Sequence, residues 1–270
     1  MAPQTLGIIG CGKMAYALLQ GIKRGSVQTF TTIYVNDIDP ERMELFSQEF
    51  NAQPAEGQEL VAKSDLVVLA VKPQQVWQAL EKAQGGWRQG ALLVSVAAGI
   101  KTADLERAVS AGVSVVRVMP NTPCLVGSGV CGVSAGSTAR EQDVGKVLAL
   151  LAGMGSALVV DEKHMDAITA VSGSGPAYAY LVLEAFINAG INIGLDAALS
   201  KRLVLDTFRG SLQMAEASGE HLAVLREQVC SPAGTTIAGI RQLEEKGLRQ
   251  AFFDAVEKAY LRSIELGEMK

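Results

Sequence analysis

Histidine is almost missing from this chain: His164 and His221 are the two in 270 residues. Two are too few for an ordinary zinc site, and neither belongs to a Ser-His-Asp set, so both read as surface residues. Cysteine is scarce as well. Cys11, Cys124, Cys131 and Cys230 form no C-x-x-C pair and read as free thiols of a reducing compartment, with no metal site expected. Long runs of Lys and Arg are absent and the net charge is −4, which argues against a nucleic-acid or anionic-membrane surface. No G-K-[ST] is present, which excludes a P-loop. No charged region precedes an apolar stretch near the start, so no signal peptide is read and a cytoplasmic location is expected. The uncharged run 167–183, "AITAVSGSGPAYAYLVL", is interrupted by Ser, Gly and Pro; it fits two helical pieces joined at a break better than a membrane span.

What is present is a composition of 49% hydrophobic residues, enough for a substantial core. The first half alternates short apolar runs with helical patterns. "TLGIIG" (5–10), "TIYVND" (32–37), "DLVVLAV" (65–71), "ALLVSVA" (91–97) and "VSVVRVMP" (113–120) read as strands of a parallel sheet buried on both faces. A helix is expected over 40–50, with Asp39 as N-cap and Pro40 at its first position, and another over 139–152. "ALVVD" (157–161) reads as a closing strand. After about residue 161 strand-like runs vanish and helices are expected over 175–189, 196–217, 221–229, 236–246 and 247–266. The fold class is therefore α/β: a Rossmann-type parallel-sheet domain over 1–162, followed by an all-α domain over 163–270. The apolar helical faces of the second part predict self-association through it.

"GCGKMA" (10–15) follows the first strand and opens a helix, with Gly10, Gly12 and Ala15 in G-x-G-x-x-A spacing. Gly10 allows the tight turn, Gly12 lets backbone approach a pyrophosphate, and Ala15 is small enough for close helix–sheet packing. Cys11, Lys13 and Met14 complete a dinucleotide-binding loop. Asp37 ends the second strand, where a carboxylate can bond the ribose 2′-OH and repel a 2′-phosphate. The alternative is that Asp37 or Asp39 merely caps the next helix, and Asn36 suits either dinucleotide, so NADH and NADPH both stay open. The carboxyl ends of the other strands supply a rim for a flat nicotinamide: Ala70, Val71, Lys72 and Pro73; Ala97, Ala98 and Gly99; Pro120 and Asn121, whose amide can bond the carboxamide. A site poor in acids and bases suits hydride transfer to an acceptor that is already activated, because the cofactor does the hard chemistry.

Taken together, "IIGCGKMA", "AVKP", "AAGI", "RVMPNTP", "VSGSGPAYAY" (171–180) and "CSPAGTTIAGI" (230–240) resemble pyrroline-5-carboxylate reductases, in the family's order and over nearly the whole chain. The resemblance implies an N-terminal Rossmann domain, a C-terminal helical dimerisation domain, and NADPH- or NADH-dependent reduction of 1-pyrroline-5-carboxylate to L-proline, the last step of proline biosynthesis. Some family members assemble dimers into decamers. The resemblance also implies that 231–236 is the substrate-carboxylate loop, through backbone N–H groups at Gly234 and Thr235 and the hydroxyls of Ser231 and Thr236. Thr236 would hydrogen-bond near the ring nitrogen as the catalytic residue, and Ser172, Gly173, Ser174 and Gly175 would line the substrate pocket. Where the family places glycine, this chain has Ala233. Three other readings share these features: a reductase of a different cyclic imine, a cofactor-binding regulatory paralogue without turnover, and a β-hydroxyacid-type dehydrogenase. The last uses a lysine after the domain junction, and 170–186 contains none.

Overall fold

The computed structural model describes residues 4–25 and 30–268. Its elements run β1 (Gln4–Ile9), α1 (Lys13–Gly25), β2 (Phe30–Asn36), α2 (Pro40–Phe50), β3 (Gln53–Pro54), α3 (Gly57–Lys63), β4 (Leu66–Leu69), α4 (Val76–Lys82), β5 (Leu92–Ser95), α5 (Thr102–Ala108), β6 (Ser114–Met119), β7 (Gly129–Ala135), α6 (Glu141–Leu151) and β8 (Gly155–Val159). The rest is helical: α7 (Met165–Ile168), a π-turn (Thr169–Gly173), α8 (Gly175–Asn192), α9 (Ala197–Ser218), α10 (Leu222–Gln228), α11 (Thr235–Glu245) and α12 (Leu248–Glu268). No helix among the described residues is long and apolar enough to cross a membrane.

The eight strands form one sheet in the order β3-β2-β1-β4-β5-β6-β7-β8. Runs such as "LVVL" in β4 and "LLVS" in β5 are buried along their whole length, as strands covered on both faces must be. Each large aliphatic side chain so buried contributes about 1.5–3 kcal/mol relative to exposure. Two core layers result, one around Leu6, Ile8, Leu19 and Val68, the other around Leu60, Val67, Leu80 and Leu93. Tyr16, Phe46 and Phe50 meet edge to face and tie α1 to α2. The expected all-parallel sheet needs one correction. β7 is an additional strand, antiparallel to β6, and β8 then runs parallel to β7 and starts two residues before its expected position.

The chain divides into two compact units. One comprises the residues up to Pro176 together with those from Lys258 on; the other is Ala177–Glu257. In the first unit Arg117, 1% exposed, pairs with Glu162 and Asp166 at 3.3 Å each. Glu162 also accepts from the Thr102 N–H and hydroxyl, and Asp166 from Ser263 of α12 at 2.8 Å. These bonds fix α7 and the last turns of α12 to the sheet. In the second unit Asp196 caps α9 by accepting from Leu199 N, and His221 caps α10 through Nδ1.

Candidate active site

The loop between β1 and α1 is built around a glycine that no other residue replaces. Gly10 adopts φ +99°, and a Cβ there would stand 2.8 Å from the Ala70 carbonyl group. Its N–H donates to Asn36 O at 2.8 Å, and Ala70 N donates to Ile9 O at 2.7 Å, so the ends of β1, β2 and β4 converge on it. Gly12 is the opposite case: nothing lies within 4 Å of where its Cβ would point. That open side lets a phosphate reach backbone. The first α1 bond runs from Tyr16 N to Gly12 O, so the N–H groups of the preceding turn have no partner inside the helix. The Cys11 thiol is buried, which pushes its pKa up to about 12 with added help from the nearby Asp37 charge; it is packing, not a nucleophile. Lys13 is exposed, Met14 half-buried, and Ala15 buried against the sheet.

The structure separates the two acids after β2. Asp39 is the N-cap of α2, accepting from Glu41 N at 3.0 Å. Asp37 does not cap that helix. Its carboxylate accepts from Cys11 N at 2.5 Å and from Asp39 N at 2.9 Å, which fixes it beside the glycine loop. The Asn36 side chain is engaged elsewhere, on Ala55 O at 2.7 Å. Ile9, Gly10, Asn36, Asp37 and Val71 line a cleft that also includes Ile38, Gln75, Gln78, Ala79 and Lys82. The last five escaped the sequence reading. Their signal was there: residues 75, 78, 79 and 82 have helical one-face spacing, and Ile38 is an apolar side chain, 77% exposed, between two acids.

The strand-end rim is more mixed than expected. Ala70 and Val71 lie against Gly10. Lys72 is exposed and precedes a short 3₁₀ turn that starts at Pro73. Ala97 is buried and Ala98 half-buried. Gly99, φ +78°, faces α12: a Cβ there would stand 2.9 Å from Ser263 O and Gly267 N, so its bare Cα serves helix packing. Pro120 is buried. The Asn121 side chain, expected on the carboxamide, is bound within the protein: Nδ2 donates to Ser172 O at 3.2 Å and Oδ1 accepts from Val130 N at 2.9 Å. Ser172 and Gly173 belong to the π-turn, closed by Ser174 N to Thr169 O at 2.9 Å, and Gly175 opens α8. The Ser172 hydroxyl donates back to Ile168 O at 3.1 Å.

In the second unit, the loop 231–236 leads into α11. Gly234 is the N-cap and no side chain caps the helix, so its first N–H groups are open. Gly234 N donates to Ser231 O at 3.0 Å, and the Ser231 hydroxyl lies where a Gly234 Cβ would be. Ser231 and Thr235 are exposed and Thr236 half-buried. Ala233 has φ +55°, the left-handed conformation that glycine adopts readily. An uncapped helix start flanked by hydroxyls is a setting for one small anion.

A doubly wound sheet with an open glycine loop at the first βα turn, a fixed acid after the second strand, and a helical unit with its own uncapped helix start is the architecture of a nicotinamide-dinucleotide oxidoreductase. Residues 5–99 match the family described as NADP oxidoreductase, coenzyme F420-dependent, and residues 162–266 match pyrroline-5-carboxylate reductase dimerisation. The chain is 39% identical to the pyrroline-5-carboxylate reductase of Corynebacterium melassecola, over 98% of this chain and 99% of that one. It is 40% identical to that of Pisum sativum, over 97% and 96%. The crystal structure of a Plasmodium falciparum pyrroline carboxylate reductase with NADP bound superposes with a TM-score of 0.89 at 32% identity, covering 99% of each chain. The chain belongs to the pyrroline-5-carboxylate reductase family.

Proposed function

We propose that this chain reduces 1-pyrroline-5-carboxylate to L-proline with NADH or NADPH, and that it divides the two anions of that reaction between two loops. The observation that carries this is the pair of open backbone N–H sets, at Gly12 before α1 and at Gly234 before α11. Gly10, Gly12 and the first turn of α1 would hold the dinucleotide pyrophosphate, and Asp37 the adenosine ribose. When bound, the dinucleotide supplies hydride. Ser231, Gly234, Thr235 and Thr236 hold the substrate carboxylate, which aims the ring; this is catalysis mainly by orientation. The Thr236 hydroxyl bonds at the ring nitrogen. Ser172, Gly173, Ser174 and Gly175 line the pocket. Purified protein should consume NAD(P)H when given 1-pyrroline-5-carboxylate; a folded sample without turnover would favour a regulatory paralogue instead.

A carboxylate fixed beside the glycine loop, as Asp37 is, would repel a 2′-phosphate on the adenosine ribose, and this supports a preference for NADH. The ratio of kcat/KM for the two dinucleotides tests this, and a strong NADPH preference removes the role.

The domain division at 162/163 and self-association through the helical part are also our reading. Within Ala177–Glu257, Ser200 and Val204 are the buried residues. Leu181, Ile193, Leu212 and Phe253 are each 65–80% exposed. A helical unit with so little core of its own needs a second copy to cover it. A monomer at micromolar concentration in light scattering would contradict the dimer.

A further inference from the structure

The end of β6 and the π-turn lie about 50 residues apart in sequence and touch twice. Asn121 Nδ2 donates to Ser172 O at 3.2 Å, and Gly173 approaches Met119 so closely that a Cβ there would stand 2.6 Å from Met119 Cε. The other end of the Asn121 amide is anchored on β7: Oδ1 accepts from Val130 N at 2.9 Å and faces Cys124 Sγ at 3.8 Å. Its oxygen meets an N–H and its nitrogen meets a carbonyl, so both ends dictate the orientation. Asn121 is 8% exposed, and a buried amide satisfied on both sides is a rigid strut. What it holds is unusual. The i→i+5 bond from Ser174 N to Thr169 O inserts one residue into the helical path, and such turns are rare and frequent at functional sites.

We propose that Asn121 is a positioning residue: it sets the height of the π-turn bearing Ser172 and Gly173 against the end of β6, and so sets the substrate-lining surface without touching substrate. The inference rests on the reading above that this turn lines the substrate pocket. Asn121→Asp keeps the volume but points a carboxylate oxygen at the Ser172 carbonyl. The expected result is a rise of about tenfold in KM for 1-pyrroline-5-carboxylate. The Kd for NAD(P)H should stay within about twofold, because the dinucleotide loop is untouched. Backbone amide exchange at 172–174 should also quicken. Asn121→Ala, which deletes both bonds without adding charge, should give the same split at smaller size and keeps the test intact if the Asp variant does not fold. A rise in dinucleotide Kd that matches the rise in KM would overturn the proposal and assign Asn121 to the cofactor; so would unchanged kinetics and exchange. If the wild-type chain fails to reduce the substrate, the functional reading falls instead, and the exchange experiment alone decides whether Asn121 holds the turn.

Discussion

The two loops to which we assign the anions, 10–15 and 231–236, solve the same backbone problem in opposite ways. Around Gly10 the backbone is buried, three strand ends converge, and the left-handed conformation belongs to a glycine with no room for a side chain. Around Ala233 the loop is exposed, and the left-handed conformation falls on an alanine. The first loop is held by the sheet and tolerates nothing larger; the second is held by the start of α11 and accepts a strain of about 1–2 kcal/mol because its surroundings are open. Tertiary packing fixes one geometry, and local helix termination fixes the other.

Breaking the first loop should have the largest effect. Gly10→Ala combines a disallowed φ with overlap on Ala70, and about 3 kcal/mol or more of stability should be lost in denaturant titration, along with measurable dinucleotide binding. In the second loop, Thr236→Ala should raise KM for the imine acid about tenfold and lower kcat, while the dinucleotide Kd holds; unchanged kinetics would remove Thr236 from the mechanism.

A pH experiment probes the sheet-bearing unit alone. Burial works to raise the Glu106 carboxyl, but bonds from Thr138 N–H, the Ser137 hydroxyl and the Thr138 hydroxyl outweigh it and hold the group below its usual value. Asp143 is likewise held low, burial being outweighed by Arg140 N–H, Lys146 and Ser114. A carboxyl lowered in the folded state stabilises above its unfolded pKa, about 4, and loses that contribution as pH falls through its folded value. Tm should therefore drop as pH falls below about 4, and Glu106→Gln should flatten that drop while lowering Tm at neutral pH. The smallest effect sharpens the comparison from the other side. Ala233→Gly should leave kinetics within about twofold and raise stability by no more than about 1 kcal/mol, because relief of the strained φ is partly offset by glycine's freedom in the unfolded chain.

Most of the architecture was legible because it is written in local pattern. The G-x-G-x-x-A turn, the apolar strands and the cap at Asp39 each act within a few residues. β7 was not legible: no strand is expected over Gly129–Ala135, "GVCGVSA". The structure shows why the glycines are there. A Cβ at Gly129 would overlap Cys124, and one at Gly132 would press on Ile168 at 3.1 Å. The break at "SGSG" was visible, but its resolution as a π-turn was not, since that depends on one inserted residue. Asn121 looked like a ligand contact because its partners, Val130 and Ser172, lie 9 and 51 residues away. Gly99 looked like part of the nicotinamide rim because its neighbour is the far end of the chain.

The division of labour between the loops is tested most directly by removing the anion that the second one is assigned. Steady-state NAD(P)H consumption should be compared for 1-pyrroline-5-carboxylate and for 1-pyrroline, which has the same imine and no carboxylate. Loss of two charge-assisted hydrogen bonds predicts kcat/KM lower by about a hundredfold for 1-pyrroline, with the dinucleotide Kd unchanged. Equal kcat/KM for the two imines would contradict the assignment of 231–236 as the carboxylate loop.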